Sequence, residues 1–406
     1  MRLVVQKYGG TSVGRPERIR QVARRILDAE QAGSRVVAVV SAMAGVTDNL
    51  LRLAREVAER PTEEELDVLL ATGEQTTIAL VAMAVHALGG RAVCFTGAQA
   101  GIETDAAHTR ARIRAVTPEE IKRRLEDGRI VIVAGFQGRT ASGRITTLGR
   151  GGSDLTAIAL AAALSADACQ IFTDVDGVYT CDPRIVPQAV RIPELSYDEM
   201  LEMASSGSKV MQSRSVEFAK RFGVAFEVRN SLNDNPGTLV TEENRYMEAV
   251  VVRGVSVEQH QAKVTVRNVP DRPGYAAQIF VALAEAGVVI DMIVQNVSEQ
   301  GATDLSFTLA KADLARAEAA LREFVESAGP PVTLRSEDGI AKISAVGIGM
   351  RSHSGVAARM FSALAEAGIN IRMIATSEIK VSVIVDEPHL CEAASAVHDA
   401  FGLGGA

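Results

Sequence analysis

Hydrophobic residues fall in two rhythms over the first 240 positions. Continuous apolar runs at residues 3–8, 35–41, 129–136, 169–173 and 224–229 read as buried strands, of the kind found in parallel sheets covered on both faces. Between them the spacing turns helical. Ile19, Val22, Ala23, Ile26 and Leu27 mark a helix that starts near Pro16 and ends at Gly33. Leu50, Leu53, Ala54 and Val57 mark a second, which Thr47 can cap. Residues 63–88 form a long helical region that Gly73 interrupts. A capping box at Thr117-Pro118-Glu119-Glu120 opens a helix ending at Gly128, and a second box lies at Ser196-Tyr197-Asp198-Glu199. Further helices are expected over 155–164 and 209–222, and a hairpin turning at Ser142-Gly143. Strands alternating with helices predict an α/β domain with a mainly parallel central sheet. Ligands of such sheets sit at the carboxyl ends of the strands.

From about Ala262 the pattern changes. Residues 271–296 and 352–377 align without gaps at an offset of 81, with 13 of 26 positions identical. This is an internal repeat. Each copy predicts a strand, a helix ending at Gly287 or Gly368, and alternating strands such as residues 305–309 and 381–385. Second helices are expected over 314–325 and 390–401, giving two β-α-β-β-α-β, ferredoxin-like α+β modules. The predicted division is a first, α/β domain at 1–242, a linker and lead-in at 243–261 (Glu242–Tyr246 the link between the halves), and modules at 262–339 and 340–406.

Composition narrows the choice of chemistry. The chain has 406 residues and a formal charge of −7, with dispersed basic residues, so no nucleic-acid partner is expected. No apolar run approaches a membrane span, and a strand-like run stands where a signal peptide would; a cytoplasmic protein with no membrane partner is expected. The four cysteines and six histidines form no zinc or disulfide pattern.

Candidate chemistry centres on residues 146–157. Gly149, Gly151 and Gly152 surround Arg150, Ser153 and Asp154 follow, and then a helix begins. A Gly-rich turn at a helix N-terminus suits an anion, and a flexible loop is the alternative. No G-x-x-x-x-G-K is present, so a P-loop is disfavoured. Lys7, before Gly9-Gly10, can supply a cation for phosphates, and the turn amides with those of Gly151 and Gly152 can supply donors. Asp154 must pair with Lys7 or face a metal, since it would repel phosphate. Residues 173–179 begin like a calcium loop but lack its later acidic ligands; the alternatives are an Asp-Gly turn or a nucleotide pocket.

Lys7-Tyr8-Gly9-Gly10-Thr11-Ser12-Val13 resembles the opening signature of the bacterial aspartate kinases, in the amino-acid kinase superfamily. Val40-Ser41-Ala42-Met43, Thr72-Gly73-Glu74-Gln75, residues 149–154, residues 173–184 and Gly207-Ser208-Lys209-Val210 follow in that family's order, and the repeat resembles its paired ACT modules. The resemblance covers essentially the whole chain. It implies ATP-dependent phosphorylation of the L-aspartate side-chain carboxylate to 4-phospho-L-aspartate, a first step towards lysine, threonine, methionine and isoleucine. Mg²⁺ would ride on the ATP phosphates, with no dedicated metal site.

By the same resemblance Lys7, Gly9, Gly10, Thr173, Asp174, Tyr179, Asp182, Arg184, Lys209 and Val210 contact ATP. Ser41, Thr47, Glu74, Arg150, Gly151, Gly152 and Ser153 hold aspartate. Lys7, Arg150 and Asp154 are the catalytic set. Lysine, threonine or both are the implied effectors, at Asp271, Arg272, Pro273, Gly274, Tyr275, Ala276, Val289, Ile290, Asp291, Gln295, Val356, Ala357, Asn370, Ile371, Ser377 and Glu378. Homo-oligomers through the ACT modules are implied, with Met247 placed where a separate small subunit would start. Three positions depart from the family: Leu155 replaces Thr, Met211-Gln212-Ser213-Arg214 replaces a His-Pro-Arg pattern, and Gly97-Ala98-Gln99 lacks a bulky middle residue. The competing readings are another amino-acid kinase, acting on glutamate, acetylglutamate or a nucleoside monophosphate, and a non-catalytic amino-acid sensor. The ACT pair and residues 72–75 argue against the first. Intact Lys7, Arg150 and Asp154 argue against the second.

Overall fold

The computed structural model describes residues 1–207, 210–242, 250–297 and 301–405. The chain forms two compact units. The first holds residues 1–178, 191–205 and the described residues of 210–242; the second holds Tyr179–Val190, 206–207 and the described residues from 250 onward. Residues 179–190 thus group with the second unit although they lie inside the expected 1–242. Of the expected linker Glu242–Tyr246, residues 243–246 lie outside the described residues, as do Met247 and Lys209.

Among the described residues twelve strands build the first unit: β1 (Arg2–Tyr8), β2 (Ser34–Val40), β3 (Ala92–Phe95), β4 (Ile102–Thr104), β5 (Ile113–Val116), β6 (Ile130–Ala134), β7 (Gln137–Thr140), β8 (Ile145–Thr147), β9 (Ala168–Thr173), β10 (Glu194–Ser196), β11 (Phe226–Asn230) and β12 (Thr238–Thr241). Eight make a sheet in the order β10-β12-β11-β9-β1-β2-β6-β3, parallel at every pair except β11–β12. The order reverses at β1, so the carboxyl ends of β1, β2, β6 and β9 share one rim at the switch point. A second sheet, β5-β4-β7-β8, lies apart from it in hydrogen bonding. Its strands run three or four residues, too short for a two-residue period to register; only the β7–β8 hairpin at Gly143 was legible.

Among the described residues seven helices complete this unit: α1 (Pro16–Gln31), α2 (Val46–Val57), α3 (Glu63–Ala87), α4 (Glu119–Glu126), α5 (Gly152–Leu164), α6 (Tyr197–Ser205) and α7 (Ser213–Phe222). Ile19, Val22, Ala23, Ile26 and Leu27 of α1 pack with Ile78, Val81 and Val85 of α3 on the sheet face carrying Tyr8, Val36, Ala38, Val40, Ile132 and Phe172. Helix α5 packs on β1 and β9.

Several expectations change. Helix α3 runs unbroken through Gly73, whose bare Cα lets Ala42 approach to 2.9 Å of where a Cβ would stand. By length and composition α3 could also cross a membrane, contrary to the expectation of no such run; half of its apolar window is buried within the protein. Thr47 lies inside α2, whose N-cap is the left-handed Gly45. The first capping box does not form: Pro118 is the N-cap without a side-chain bond, and Thr117 Oγ1 turns to the Gly101 carbonyl. The second box does form. The Glu199 amide donates to Ser196 Oγ (3.1 Å) and the Ser196 amide donates to Glu199 Oε2 (3.0 Å).

The second unit carries one six-stranded sheet, β14-β15-β13-β16-β18-β17, from β13 (Gly254–Pro270), β14 (Ile290–Val297), β15 (Ala302–Ala310), β16 (Thr333–Val346), β17 (Met373–Thr376) and β18 (Lys380–Asp386). Two long strands pass through both repeat copies. Residues 261–267 of β13 pair with 333–340 of β16 in the first copy. Residues 254–258 of β13 pair with 342–346 of β16 and supply the fourth strand that the second copy lacks after its last helix. That strand was expected to be lead-in; it is part of the second module's sheet. Helices Tyr275–Glu285 and Leu314–Ala328 cover the first copy, and Val356–Glu366 and Leu390–Ala400 the second.

Val255 is 1% exposed in the core with Ile343, Val383 and Val397. Val255→Asp places an unpaired carboxylate there and should destabilise the second unit by about 3 kcal/mol or more. Urea denaturation followed by circular dichroism measures it.

Candidate active site

Backbone hydrogen bonds stitch the rim together. The Gly9 amide donates to the Phe172 carbonyl (3.2 Å), the Ser41 amide to the Tyr8 carbonyl (3.1 Å) and the Gly135 amide to the Val40 carbonyl (3.0 Å). The turn after β1 leaves no space for a side chain at Gly10, where a Cβ would lie 2.9 Å from the Ala42 carbonyl oxygen. Lys7 is the penultimate residue of β1. Its Nζ lies 2.6 Å from Asp154 Oδ1, with both side chains 11% exposed. Asp154 stands in the first turn of α5, where a carboxylate meets the positive end of the helix dipole.

Hydrogen bonds and close contacts tie the loop before α5 to its neighbours. Gly149 and Gly151 have φ of +76° and +69°. A Cβ at Gly151 would lie 2.2 Å from Gln212 Cγ, so the loop and residue 212 are in close contact. The Gly152 amide donates to the Gly149 carbonyl and the Leu148 amide to the Phe136 carbonyl. Ser153 is buried against Gly135, and Arg150 is exposed. The amides of Gly9 and Gly152, expected to be anion donors, are therefore already engaged inside the protein. The Gly10 amide opens a one-turn 3-10 helix and has no intrahelical acceptor.

Glu74 is 3% exposed on α3. Its Oε1 accepts from the Ala42 amide (3.0 Å), which ties it to the loop that carries Ser41. Its Oε2 is buried with no hydrogen-bond partner among the described residues. Burial pushes its carboxyl up to about 7, against the smaller opposing effect of the Ala42 amide. Ser41 and Thr47 are half-buried.

Thr173 ends β9, and its hydroxyl donates to Asp174 (3.1 Å). Two residues on, Asp176 accepts from the side-chain amides of Asn230 (2.5 Å), Asn233 (2.9 Å) and Asn235 (3.0 Å). These three bonds hold its carboxyl below the usual range. Asp176 thus anchors this loop, a role its Asp-Gly context did not reveal. Tyr179, Asp182 and Arg184 belong to the second unit, where the Arg184 guanidinium grips the Asp182 carboxylate. Val210 is half-buried.

The second unit holds a separate cavity of about 310 Å³. Asp271, Arg272, Pro273, Gly274, Tyr275, Ala276 and Gln295 line it with Val269, Pro270, Thr303 and Leu305. Gly274, at φ +102°, is the N-cap of the helix Tyr275–Glu285, so first-turn amides and a carboxylate share one cavity. The other expected effector positions do not line it. Val289 is exposed, and Ile290 and Asp291 open β14. Asp291 instead accepts from the buried Lys342 ammonium (2.5 Å). Glu378 lies 3.5 Å from Arg351. Asn370 and Ser377 are exposed, and Val356, Ala357 and Ile371 pack in the second copy's core.

Similarity to known proteins now adds to this geometry. The amino acid kinase family pattern matches residues 2–230, and ACT domain patterns match residues 264–326 and 343–401. The aspartokinase of Pseudomonas aeruginosa is 52% identical, over 99% of this chain and 98% of its own length. The aspartokinase of Mycolicibacterium smegmatis is also 52% identical, over 100% and 97%. The chain belongs to the aspartokinase family. It is an aspartate kinase, a phosphotransferase with a carboxyl acceptor. The crystal structure of E. coli aspartokinase III with aspartate and ADP superposes with a TM-score of 0.80 at 27% identity, covering 98% of this chain and 99% of that one. The same enzyme with lysine and aspartate gives the same score and coverage.

In this aspartokinase the Glu74 carboxyl should titrate near pH 7 without ligand. Infrared difference spectra across pH 6–8 should show a protonated-carboxyl band that is lost on raising the pH and is absent in Glu74→Gln. A carboxyl fully ionised at pH 6 would contradict the burial described.

Proposed function

We propose that the chain transfers the γ-phosphoryl group of ATP to the side-chain carboxylate of L-aspartate, giving 4-phospho-L-aspartate and ADP. The carrying observation is the buried Glu74 Oε2 with no partner among the described residues beside the Ser41 loop. Such an atom calls for a cationic group, and the α-ammonium of an amino acid supplies one. Arg150, exposed at the Gly-rich loop, takes the α-carboxylate. Ser41, Thr47, Gly151, Gly152 and Ser153 complete the substrate pocket in this reading.

The acceptor carboxylate has an ordinary pKa near 3.9, so it is ionised at neutral pH and no general base is needed. One of its oxygens forms the new bond to phosphorus as the bond to the ADP oxygen breaks. Catalysis is then positioning and charge neutralisation. Lys7, aimed by its ion pair with Asp154, neutralises the phosphoryl group at the Gly9-Gly10 turn. Thr173, Asp174, Lys209 and Val210 are assigned to the nucleotide; for Tyr179, Asp182 and Arg184, which belong to the second unit, that assignment rests on family resemblance alone. Mg²⁺ enters with the ATP phosphates and adds charge neutralisation there. Lys7 Nζ, 3.5 Å from where a Gly9 Cβ would stand, offers a cation to such an anion at this turn.

We further assign the 310 Å³ cavity to an amino-acid effector. Asp271 faces its ammonium and the amides at Gly274–Ala276 its carboxylate. E. coli aspartokinase III has been crystallised with lysine, which supports lysine here, with threonine as a second effector. Val289, Ile290, Asp291 and the second-copy positions join only in an oligomer built through the ACT modules. A small subunit starting at Met247, a cytoplasmic location and the place at the head of lysine, threonine, methionine and isoleucine synthesis belong to this same reading.

One assay tests it. The purified protein with MgATP, a panel of carboxylate acceptors and hydroxylamine should form hydroxamate with aspartate and with neither glutamate nor acetylglutamate. Lysine plus threonine should depress that rate. Arg150→Ala should raise the aspartate KM by about ten- to a hundredfold, the scale of a lost charged hydrogen bond. Turnover of another acceptor, or a normal KM in Arg150→Ala, would contradict the assignment.

A further inference from the structure

Asp67 carries a carboxylate that the chemistry above does not use. It lies in α3 with no solvent exposure. A buried carboxylate is costly unless donors fill its oxygens. Here two separate segments fill them. Oδ1 accepts from Thr147 Oγ1 (2.5 Å) and the Thr109 amide (3.0 Å). Oδ2 accepts from His108 Nδ1 (2.7 Å) and the same Thr109 amide (3.1 Å).

Both segments lead to the Gly-rich loop. Thr147 is the last residue of β8, three before Arg150. Thr109 is held at φ +64°, an uncommon conformation for a β-branched residue, and its carbonyl oxygen lies 3.2 Å from where a Gly149 Cβ would stand. The Ala111 amide closes the pair by donating to the Thr147 carbonyl (2.9 Å). Arg214 of α7 donates to the carbonyls of Leu148 and Ala111 (2.6 Å each). The turn carrying Arg150 is thus framed by an acceptor on α3 and a donor on α7, and neither reaches substrate in the proposed reaction.

We infer that Asp67, acting through Thr147 and the 108–109 turn, is a positioning residue for Arg150. The inference rests on the reading of Arg150 as the ligand of the substrate carboxylate. Thr147→Val removes the hydroxyl at constant shape and leaves Asp67 in place, while Thr147→Ser keeps the donor. Steady-state kinetics on the full-length enzyme should show an aspartate KM raised about tenfold or more in Thr147→Val, an ATP KM within twofold, and near-parent values in Thr147→Ser. In an Arg150→Ala background, Thr147→Val should add less than about twofold, because both act through one guanidinium. Should Thr147→Val fail to fold, His108→Ala, which opens the same cluster from its solvent side, carries the same expectation.

Thr147→Val with a parent-like aspartate KM, beside an impaired Arg150→Ala, overturns the positioning role alone. So does an effect that multiplies with Arg150→Ala, or one that moves both KM values together. Arg150→Ala with an unchanged aspartate KM overturns the reading of Arg150 and this inference with it.

Discussion

The Lys7–Asp154 ion pair is the constraint on which the catalytic rim depends. Strand alternation turns Tyr8 to the face covered by α1 and α3 and Lys7 to the face of α5. Lys7 can meet Asp154 only if α5 starts where it does, and α5 can start there only because Gly149 and Gly151 adopt left-handed conformations in the turn before it. The pair therefore ties the position of the Gly-rich loop to the central strand. Removing one partner from a pair this buried leaves an uncompensated charge. That makes the two residues a unit, whose ammonium in the proposed reaction is the cation offered to the phosphoryl group.

Much of the fold was legible because its signals are local. Five buried strands, the α1 core face and the repeat each announce themselves within a short window, and the observed strands β1, β2, β6, β9 and β11 fall within two residues of those runs. What escaped was decided by distant contacts. Gly73 reads as a breaker, yet a close neighbour at Ala42 makes a glycine useful inside α3. Thr117 has the chemistry of a cap and spends its hydroxyl elsewhere. Residues 254–258 read as lead-in because the strand they complete lies about 90 residues further along the chain.

The site divides in the same way. The Gly-rich turn and Lys7 could be picked out on spacing alone, and Glu74 through family resemblance. The anchors Asp67, Asp176 and Arg214 could not, since no motif marks a carboxylate filled by Thr147 and Thr109 or by three asparagines. The effector positions separate too. Seven of them line one cavity, while Asp291 is committed to Lys342, where a buried ammonium in a mostly apolar sheet needs its charge matched.

The most direct test of this account is kcat of Lys7→Met at saturating ATP and aspartate, measured on protein shown to be folded. Met keeps the length and apolar stem of the side chain and removes only the ammonium. The account predicts a fall of about 10²–10³-fold, the scale of one lost preorganised electrostatic group. A folded Lys7→Met enzyme with kcat within threefold of the parent would contradict it.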